Sequence, residues 1–203
     1  MSNTTQILKD NLWTNNPIFM QVLGICSALA VTNLLVNTMI MTIGVTFVTA
    51  MTSLTVSLIK TLIPRKVRMI VQTLIIAFYV IIVDLVLKAY WPEMSRNLGP
   101  FVGLIITNCI IMGRCEAFAG SNPPRSALLD GLFNGLGYSL MLLAIAVPRE
   151  LFGMGTLLGQ PMPYFASAYW DNWIIMVMPP GAFFMLATVL WICRSRDPGE
   201  ARK

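Results

Sequence analysis

The sequence predicts an all-α integral membrane protein with six transmembrane helices, arranged as two inverted three-helix repeats over residues 17–90 and 98–193. Composition supports this class, because 56% of the residues are hydrophobic, 11% are charged and the mean hydropathy is +0.71. A soluble domain needs more polar surface than that. A further observation is that one cysteine-bearing pattern occurs twice. We therefore expect a single transmembrane domain over residues 1–203.

Each apolar segment is long enough to cross a bilayer. A helix needs about 20 residues to span the hydrocarbon core, and polar or Pro-containing stretches such as "IPRKVR" and "GSNPPRS" separate the segments. The start, "MSNTTQILKDNLW", has no signal-peptide pattern, so we expect the first span to direct insertion. The predicted spans are residues 17–35, 37–63, 67–90, 98–120, 126–152 and 172–193.

The distribution of basic residues predicts the orientation. Six spans place both termini on one side, and cytoplasmic loops are enriched in Lys and Arg. Three basic residues fall on the side opposite the termini: Lys88, Arg96 and Arg149. Eleven fall on the side of the termini: Lys9, Lys60, Arg65, Lys66, Arg68, Arg114, Arg125, Arg194, Arg196, Arg202 and Lys203. Both termini are thus expected in the cytoplasm, and this basic charge needs no nucleic-acid partner, since topology and membrane lipid explain it.

Two cysteines occupy equivalent positions in the repeated pattern. "NPIFMQVLGIC" and "LGPFVGLIITNC" each place a helix-starting proline nine residues before a cysteine, Pro17 before Cys26 and Pro100 before Cys109. The copies open the first and fourth spans, so the two halves would enter the membrane from opposite faces. Nine residues of helix rise about 13.5 Å, near half of the hydrocarbon core. We therefore expect both thiols near the midplane, in broken first and fourth helices.

The repetition favours a ligand role for this cysteine pair. A single membrane cysteine is usually a packing residue, but two at matching positions of an inverted repeat suggest a shared site. Neighbouring glycines can interrupt a helix and free backbone groups toward a cofactor. These glycines are Gly24, Gly103 and Gly113. The cysteines without a repeat partner, expected to be packing residues, are Cys115 and Cys193.

The chain contains no histidine, which excludes His-ligated haem, His-based zinc or copper sites, and Ser-His or Cys-His catalytic pairs. Zinc or a [2Fe-2S] cluster ordinarily needs four ligands, and the repeat supplies two. The other two would come from another subunit, either a second copy or a paralogue with the same repeat. An intramolecular disulfide is the competing interpretation, but a bond at the midplane has no obvious oxidant.

Four stretches carry a family resemblance over nearly the whole chain: "NPIFMQVLGICSALAVT", "VGLIITNCIIMGRCEAFA", "SALLDGLFNGLGYSL" and "RELFGMGTLLG". They resemble the D-subunit family of the Na+-translocating NADH:quinone oxidoreductase. The E subunit of the Rnf complex and the paralogous partner subunits belong to the same family. "LGICSALAVT" and "VGLIITNC" fit the quinone reductase better than Rnf, whose E subunit tends toward "LGLCP". Cys115 departs from the family's usual "GRAEAFA".

The resemblance implies that Cys26 and Cys109 share an intramembrane [2Fe-2S] cluster with the matching cysteines of the E subunit. It also implies a complex with subunits A, B, C and F in the bacterial inner membrane, in which this chain relays electrons between flavin-bearing parts and has no complete active site. No dinucleotide-binding signature and no S-G-A-T-type threonine for covalent flavin occur, so we expect no flavin on this chain.

Other polar residues inside the spans have simpler interpretations. Asp84 and Lys88, four residues apart, are expected to form an intrahelical ion pair, with a Na+ or H+ role as the alternative. Arg114 and Glu116 are expected to fix a helix end or a subunit contact. The residues expected to donate hydrogen bonds near cluster sulfurs are Thr107 and Asn108. The glycines expected to form a helix-packing face are Gly131, Gly135 and Gly137.

Three alternatives to this function remain open at the level of sequence. One is the E subunit of an Rnf-type ferredoxin:NAD oxidoreductase. Another is a small secondary transporter, since inverted repeats with broken helices are also transporter architecture. The third is a structural membrane anchor that only holds partners. Replacing Cys26 and Cys109 by Ala discriminates, because a transporter would tolerate the change and a cluster protein would lose iron.

Overall fold

A computed structural model describes residues 23–158, 160–161 and 174–196. The described chain is helical apart from one short antiparallel strand pair, β1 Thr156–Leu157 and β2 Gln160–Pro161. A 3-10 turn, Arg65–Val67, precedes the third helix, and a π-helical turn, Cys115–Ala119, follows the fifth. The helices are α1 Ile25–Val31, α2 Leu35–Ile59, α3 Arg68–Tyr90, α4 Pro92–Ile106, α5 Cys109–Arg114, α6 Pro124–Met154, α7 Ile174–Val177 and α8 Pro179–Arg196.

Four segments of the described chain are long and apolar enough to cross a membrane, which confirms a multi-pass α-helical membrane protein. The part of the first predicted span before residue 23 lies outside the described residues. In the sixth span the apolar helix Pro179–Ile192 is shorter than a full crossing. The six-helix inverted repeat therefore stays a prediction. The four segments are Leu35–Ile59, Arg68–Tyr90, Gly99–Ala119 and Pro124–Met154.

Helix α1 begins directly after a glycine in the left-handed conformation. Gly24 has φ 82°, a backbone angle that residues with a Cβ rarely adopt. A Cβ at this position would also lie 2.6 Å from Ile110 Cδ1 and 3.0 Å from Tyr138 Cε2. Both the backbone angle and the lack of space therefore require glycine where α1 starts.

The fourth span is interrupted immediately before Cys109. Helix α4 ends at Ile106, and Asn108 is extended with φ −69° and ψ 118°. The Asn108 side chain accepts a hydrogen bond of 3.1 Å from the Ile110 amide, so it caps the new helix that begins at Cys109. The predicted break in this helix is therefore found at an asparagine cap.

Two of the glycines expected to interrupt a helix do not do so. Gly103 lies within α4 and Gly113 lies within α5, on either side of the Asn108 cap that makes the break. Pro100, expected at the start of a helix, lies inside α4, because the turns that begin at Pro92 are already helical. The apolar part of this segment still begins beside the proline, at Gly99.

Helices α2 and α6 pack closely through glycines. A Cβ at Gly131 would lie 3.0 Å from Ala50 Cα, and one at Gly135 would lie 2.8 Å from Thr46 Cα. Small residues let two backbones approach in this way inside a membrane. The predicted helix-packing face is thus confirmed at Gly131 and Gly135, and Gly137 on the same helix is buried.

Two charged contacts organise α3. Lys88 Nζ lies 2.6 Å from Asp84 Oδ2, four residues away on the same helix, which confirms the expected intrahelical ion pair. At the other end of α3, Arg68 pairs with Glu116, and Gln72 Nε2 donates to Glu116 Oε2 at 3.2 Å. Glu116 therefore joins the π-helical turn to the start of α3, which is a contact within the chain.

We expect Gly135→Ala to lower the free energy of unfolding by about 1–3 kcal/mol, because the added methyl group overpacks the contact with the α2 backbone. The matched control is Gly99→Ala, since an added Cβ at Gly99 meets nothing within 4 Å. The measurement is thermal unfolding of the purified protein complex in detergent. Equal unfolding temperatures for the two variants would contradict the close packing of α2 and α6.

Candidate paired-thiol site

Two exposed, free thiols lie at the starts of two short helices. Cys26 is the second residue of α1, and Cys109 is the first residue of α5. The first turn of a helix leaves backbone N–H groups without intrahelical partners. Both thiols therefore lie beside backbone N–H groups that carry no intrahelical hydrogen bond.

Cys115 has a different environment. Its side chain is 0% exposed and belongs to the hydrophobic core with Ile111 and Ala119. This burial supports the packing role expected from the sequence. The same expectation for Cys193 concerns a side chain outside the described part of the structure.

Three buried polar side chains link the two cysteine-bearing helix starts. Asn108 Nδ2 donates to Ser27 Oγ at 3.4 Å, and Ser27 Oγ hydrogen-bonds to the Tyr138 hydroxyl. Ser27 follows Cys26, Asn108 precedes Cys109, and Tyr138 lies on α6. The structure thus brings together the helix starts that carry the two cysteines.

Arg114 holds the end of α5 against α6. Its Nη2 lies 2.5 Å from Asp130 Oδ1, its Nε lies 3.2 Å from Asp130 Oδ2, and both residues are buried. The Asn134 side-chain oxygen, turned toward the guanidinium, accepts from Arg114 Nη2 at 3.0 Å. Of the two roles expected for Arg114, fixing a helix end is the one that these contacts support.

Arg149, near the other end of α6, joins this helix to α7 and to the residues after α1. It is 1% exposed and donates to the Met176 and Val177 carbonyls of α7 at 3.1 and 3.0 Å. It also donates to Asn33 Oδ1 at 2.8 Å and to the Thr32 hydroxyl, both just after α1. In the sequence, Arg149 is recognisable only as a basic residue on one side of the membrane. The structure places it inside a helix and buries it.

The next residue, Glu150, connects α6 to the start of α2. Its carboxylate is buried and accepts two hydrogen bonds. One, of 2.6 Å, comes from the amide of Leu35, the first residue of α2, and the other, of 3.3 Å, comes from Thr156 Oγ1. A carboxylate at a helix start is favoured by the unpaired amides and the helix dipole. The only local sequence signal for this role is an adjacent Arg-Glu pair at the end of the apolar run "MLLAIAVPRE".

The described residues contain no group of three or more His, Cys, Asp or Glu side chains arranged to hold a metal ion. Cys26 and Cys109 therefore have no third side chain of these types grouped with them in the described part of the chain. Any four-thiolate site that included them would need two ligands from outside that part.

The fold and the site define a multi-pass helical membrane protein that presents two thiols at the starts of two short helices. The chain belongs to the Rnf-Nqr family, described as "Rnf-Nqr subunit, membrane protein". The family model matches residues 4–190. It is 47% identical over 198 residues to the D subunit of the Na(+)-translocating NADH-quinone reductase of Shewanella loihica, covering 96% of this chain and 94% of that protein. It is 49% identical over 201 residues to the D subunit of the same enzyme from Pseudomonas aeruginosa, covering 97% and 89%. The resemblance drawn from the four sequence stretches is confirmed.

We expect Asp130→Ala to lower the free energy of unfolding by about 3–5 kcal/mol, because it removes the carboxylate from the buried Arg114 guanidinium. The matched control is Glu93→Ala, which removes an exposed carboxylate from the first turn of α4 and should change the free energy by less than about 1 kcal/mol. Thermal unfolding and abundance in the membrane are the measurements. An Asp130→Ala protein as stable as Glu93→Ala would show that the pair does not hold α5.

Proposed function

We propose that this chain is a D subunit of a Na+-translocating NADH-quinone reductase. We further propose that Cys26 and Cys109 ligate half of a [2Fe-2S] cluster whose other ligands come from the paralogous E subunit. The observation that carries this proposal is the pair of exposed thiols at linked helix starts. The names of relatives that match over nearly their whole length support the identity of the complex.

The residues present fit half of such a cluster. A [2Fe-2S] cluster is commonly bound by four cysteine thiolates, and the chain offers two that are free and exposed. Because the thiols are exposed, a second subunit can approach them and complete the ligand set. A zinc ion bound by the same four thiolates would fit this donor set as well, and the optical spectrum distinguishes the two.

When bound, a [2Fe-2S] cluster supplies one-electron transfer. The chain's own part is to hold two ligands at fixed positions and to keep the surrounding helices packed, so that water is kept away from the buried side of the site. In this proposal the chain relays electrons across the bacterial inner membrane between flavin-bearing parts of the complex. The complex also contains subunits A, B, C and F, and no flavin is assigned to this chain.

One observation favours a second candidate function. The interrupted fourth span also suits a small secondary transporter, where helix breaks free backbone groups for a substrate. The cysteines decide between the two functions, because a transporter has no need of thiolate ligands. Membership of an Rnf-type complex is a closer alternative, since the matching family description names both Rnf and Nqr.

We expect Cys26→Ala and Cys109→Ala each to remove most of the cluster iron held at this site and to stop NADH-driven quinone reduction, because one of four ligands is lost. The matched control is Cys115→Ala, which alters a buried thiol in the core and should leave iron unchanged. Iron and labile sulfide per complex are measured together with the optical spectrum. Full iron in both exposed-thiol variants would end the cluster proposal.

We expect reporter fusions in the loop at Arg65 and after Lys203 to report cytoplasm, and a fusion at Glu93 to report periplasm, because basic residues concentrate on the side of the termini. Paired alkaline phosphatase and fluorescent-protein fusions at each position provide the measurement and its internal control. A periplasmic carboxyl terminus would overturn the six-span topology.

A further inference from the structure

We propose that Asn108, Ser27 and Tyr138 form a positioning unit, the Asn108–Ser27–Tyr138 bridge, which fixes the spacing between Cys26 and Cys109. Its importance for a cluster rests on the proposed function, but the spacing itself is a property of this chain alone. The bridge makes no contact with iron in this proposal. It acts through the two cysteine-bearing helix starts.

The hydrogen bonds of the bridge converge on one hydroxyl group. Ser27 Oγ donates its single proton to the Gly24 carbonyl at 3.1 Å. Its lone pairs then accept from Asn108 Nδ2 at 3.4 Å and from the Tyr138 hydroxyl. A serine hydroxyl has one donor and two acceptor positions, so all of them are used. Ser27 therefore has no spare capacity and is held in one orientation.

Burial makes these bonds effective. Ser27 is 3% exposed, Asn108 is 4% exposed and Tyr138 is 0% exposed, so water does not compete for their polar groups. The Tyr138 ring lies against the backbone at Gly24 and beside Ile110, which limits its movement. Each bond therefore connects rigid partners.

The bridge is needed because the two thiols belong to separate parts of the chain. Ser27 and Asn108 are 81 residues apart in sequence, and each adjoins a cysteine at a helix start. A continuous helix would orient its cysteine through its regular backbone hydrogen bonds, but a helix start depends on local caps. The Asn108 to Ser27 bond joins the two helix starts directly. The hydrogen bond between Ser27 and Tyr138 then links the joined starts to α6.

The test measures the spacing of the thiols in the assembled complex. The purified complex is treated with a chelator and a reductant so that both thiols are free, and it is then reacted with bifunctional maleimides of graded length. Mass spectrometry gives the yield of the Cys26–Cys109 cross-link for each length. In the unaltered complex, we expect one length to be strongly preferred over the others.

In Tyr138→Phe, we expect the preference for that length to fall about fivefold, which corresponds to the loss of one ordinary hydrogen bond. In Ser27→Ala we expect a fall at least as large, because that change removes the bond from Asn108 as well. The double variant should match Ser27→Ala, because Ser27→Ala already removes the bond that the Tyr138 hydroxyl makes. The matched controls each lose a hydroxyl group that bonds elsewhere. Tyr79→Phe loses its 2.7 Å contact with Thr55, and Ser57→Ala loses its 2.7 Å bond to the Asn122 carbonyl.

An unchanged length preference in both bridge variants would overturn the proposal, as would an equal loss in the control variants. If Tyr138→Phe does not accumulate, Ser27→Ala decides alone, since it removes one small group. The electron paramagnetic resonance spectrum of the untreated complex is the second readout, and a changed spectrum is expected in the bridge variants only. If Cys26→Ala and Cys109→Ala both retain iron, the cluster proposal fails, but the cross-linking result still decides whether the bridge sets the spacing.

Discussion

A helix that stops inside a membrane must have its end groups satisfied by the protein, because lipid tails offer no hydrogen bonds. In this chain, side chains of α6 bind the ends of several neighbouring short helices. Near one end Asp130 binds the guanidinium of Arg114, the last residue of α5, and near the other Arg149 binds the carbonyls of α7 and a side chain just after α1. Helix α6 can do this because Gly131 and Gly135 bring it close to α2. The two short helices that carry the thiols therefore depend on the long helix α6.

The sequence predicted features that depend on short stretches of the chain. Hydropathy located the spans that became α2, α3 and α6, and the i to i+4 spacing of Asp84 and Lys88 predicted their ion pair. The repeated pattern led to Cys26 and Cys109, whose helix starts the structure brings together. Each of these inferences follows from spacing along one helix or from local composition, which a sequence displays directly.

Contacts between distant segments could not be predicted in the same way. From the sequence, Arg149 is interpreted as a charge near the membrane surface. Nothing nearby in the sequence indicates that its partners are Thr32 and the Met176 carbonyl. Tyr138 sits in a glycine-rich helical segment that predicts only close packing, and its bond to Ser27 spans 111 residues. Glycines were expected to break the fourth helix, whereas the break is made by an asparagine cap. Side-chain capping competes with glycine as a cause of interruption, and composition alone does not separate the two.

The thiols and their supporting residues face in opposite directions, and this arrangement explains the choice of polar residues. Cys26 is exposed while the adjacent Ser27 is buried, and Cys109 is exposed while the adjacent Asn108 is buried. Apolar side chains at the buried positions could stabilise the fold equally well, since buried polar groups are not in general a stronger source of stability. Apolar packing, however, tolerates small shifts, whereas hydrogen bonds among buried groups require defined distances and angles. In the proposed function this surface presents two ligands in register to another subunit, and polar residues behind the thiols supply the defined geometry that such a role needs.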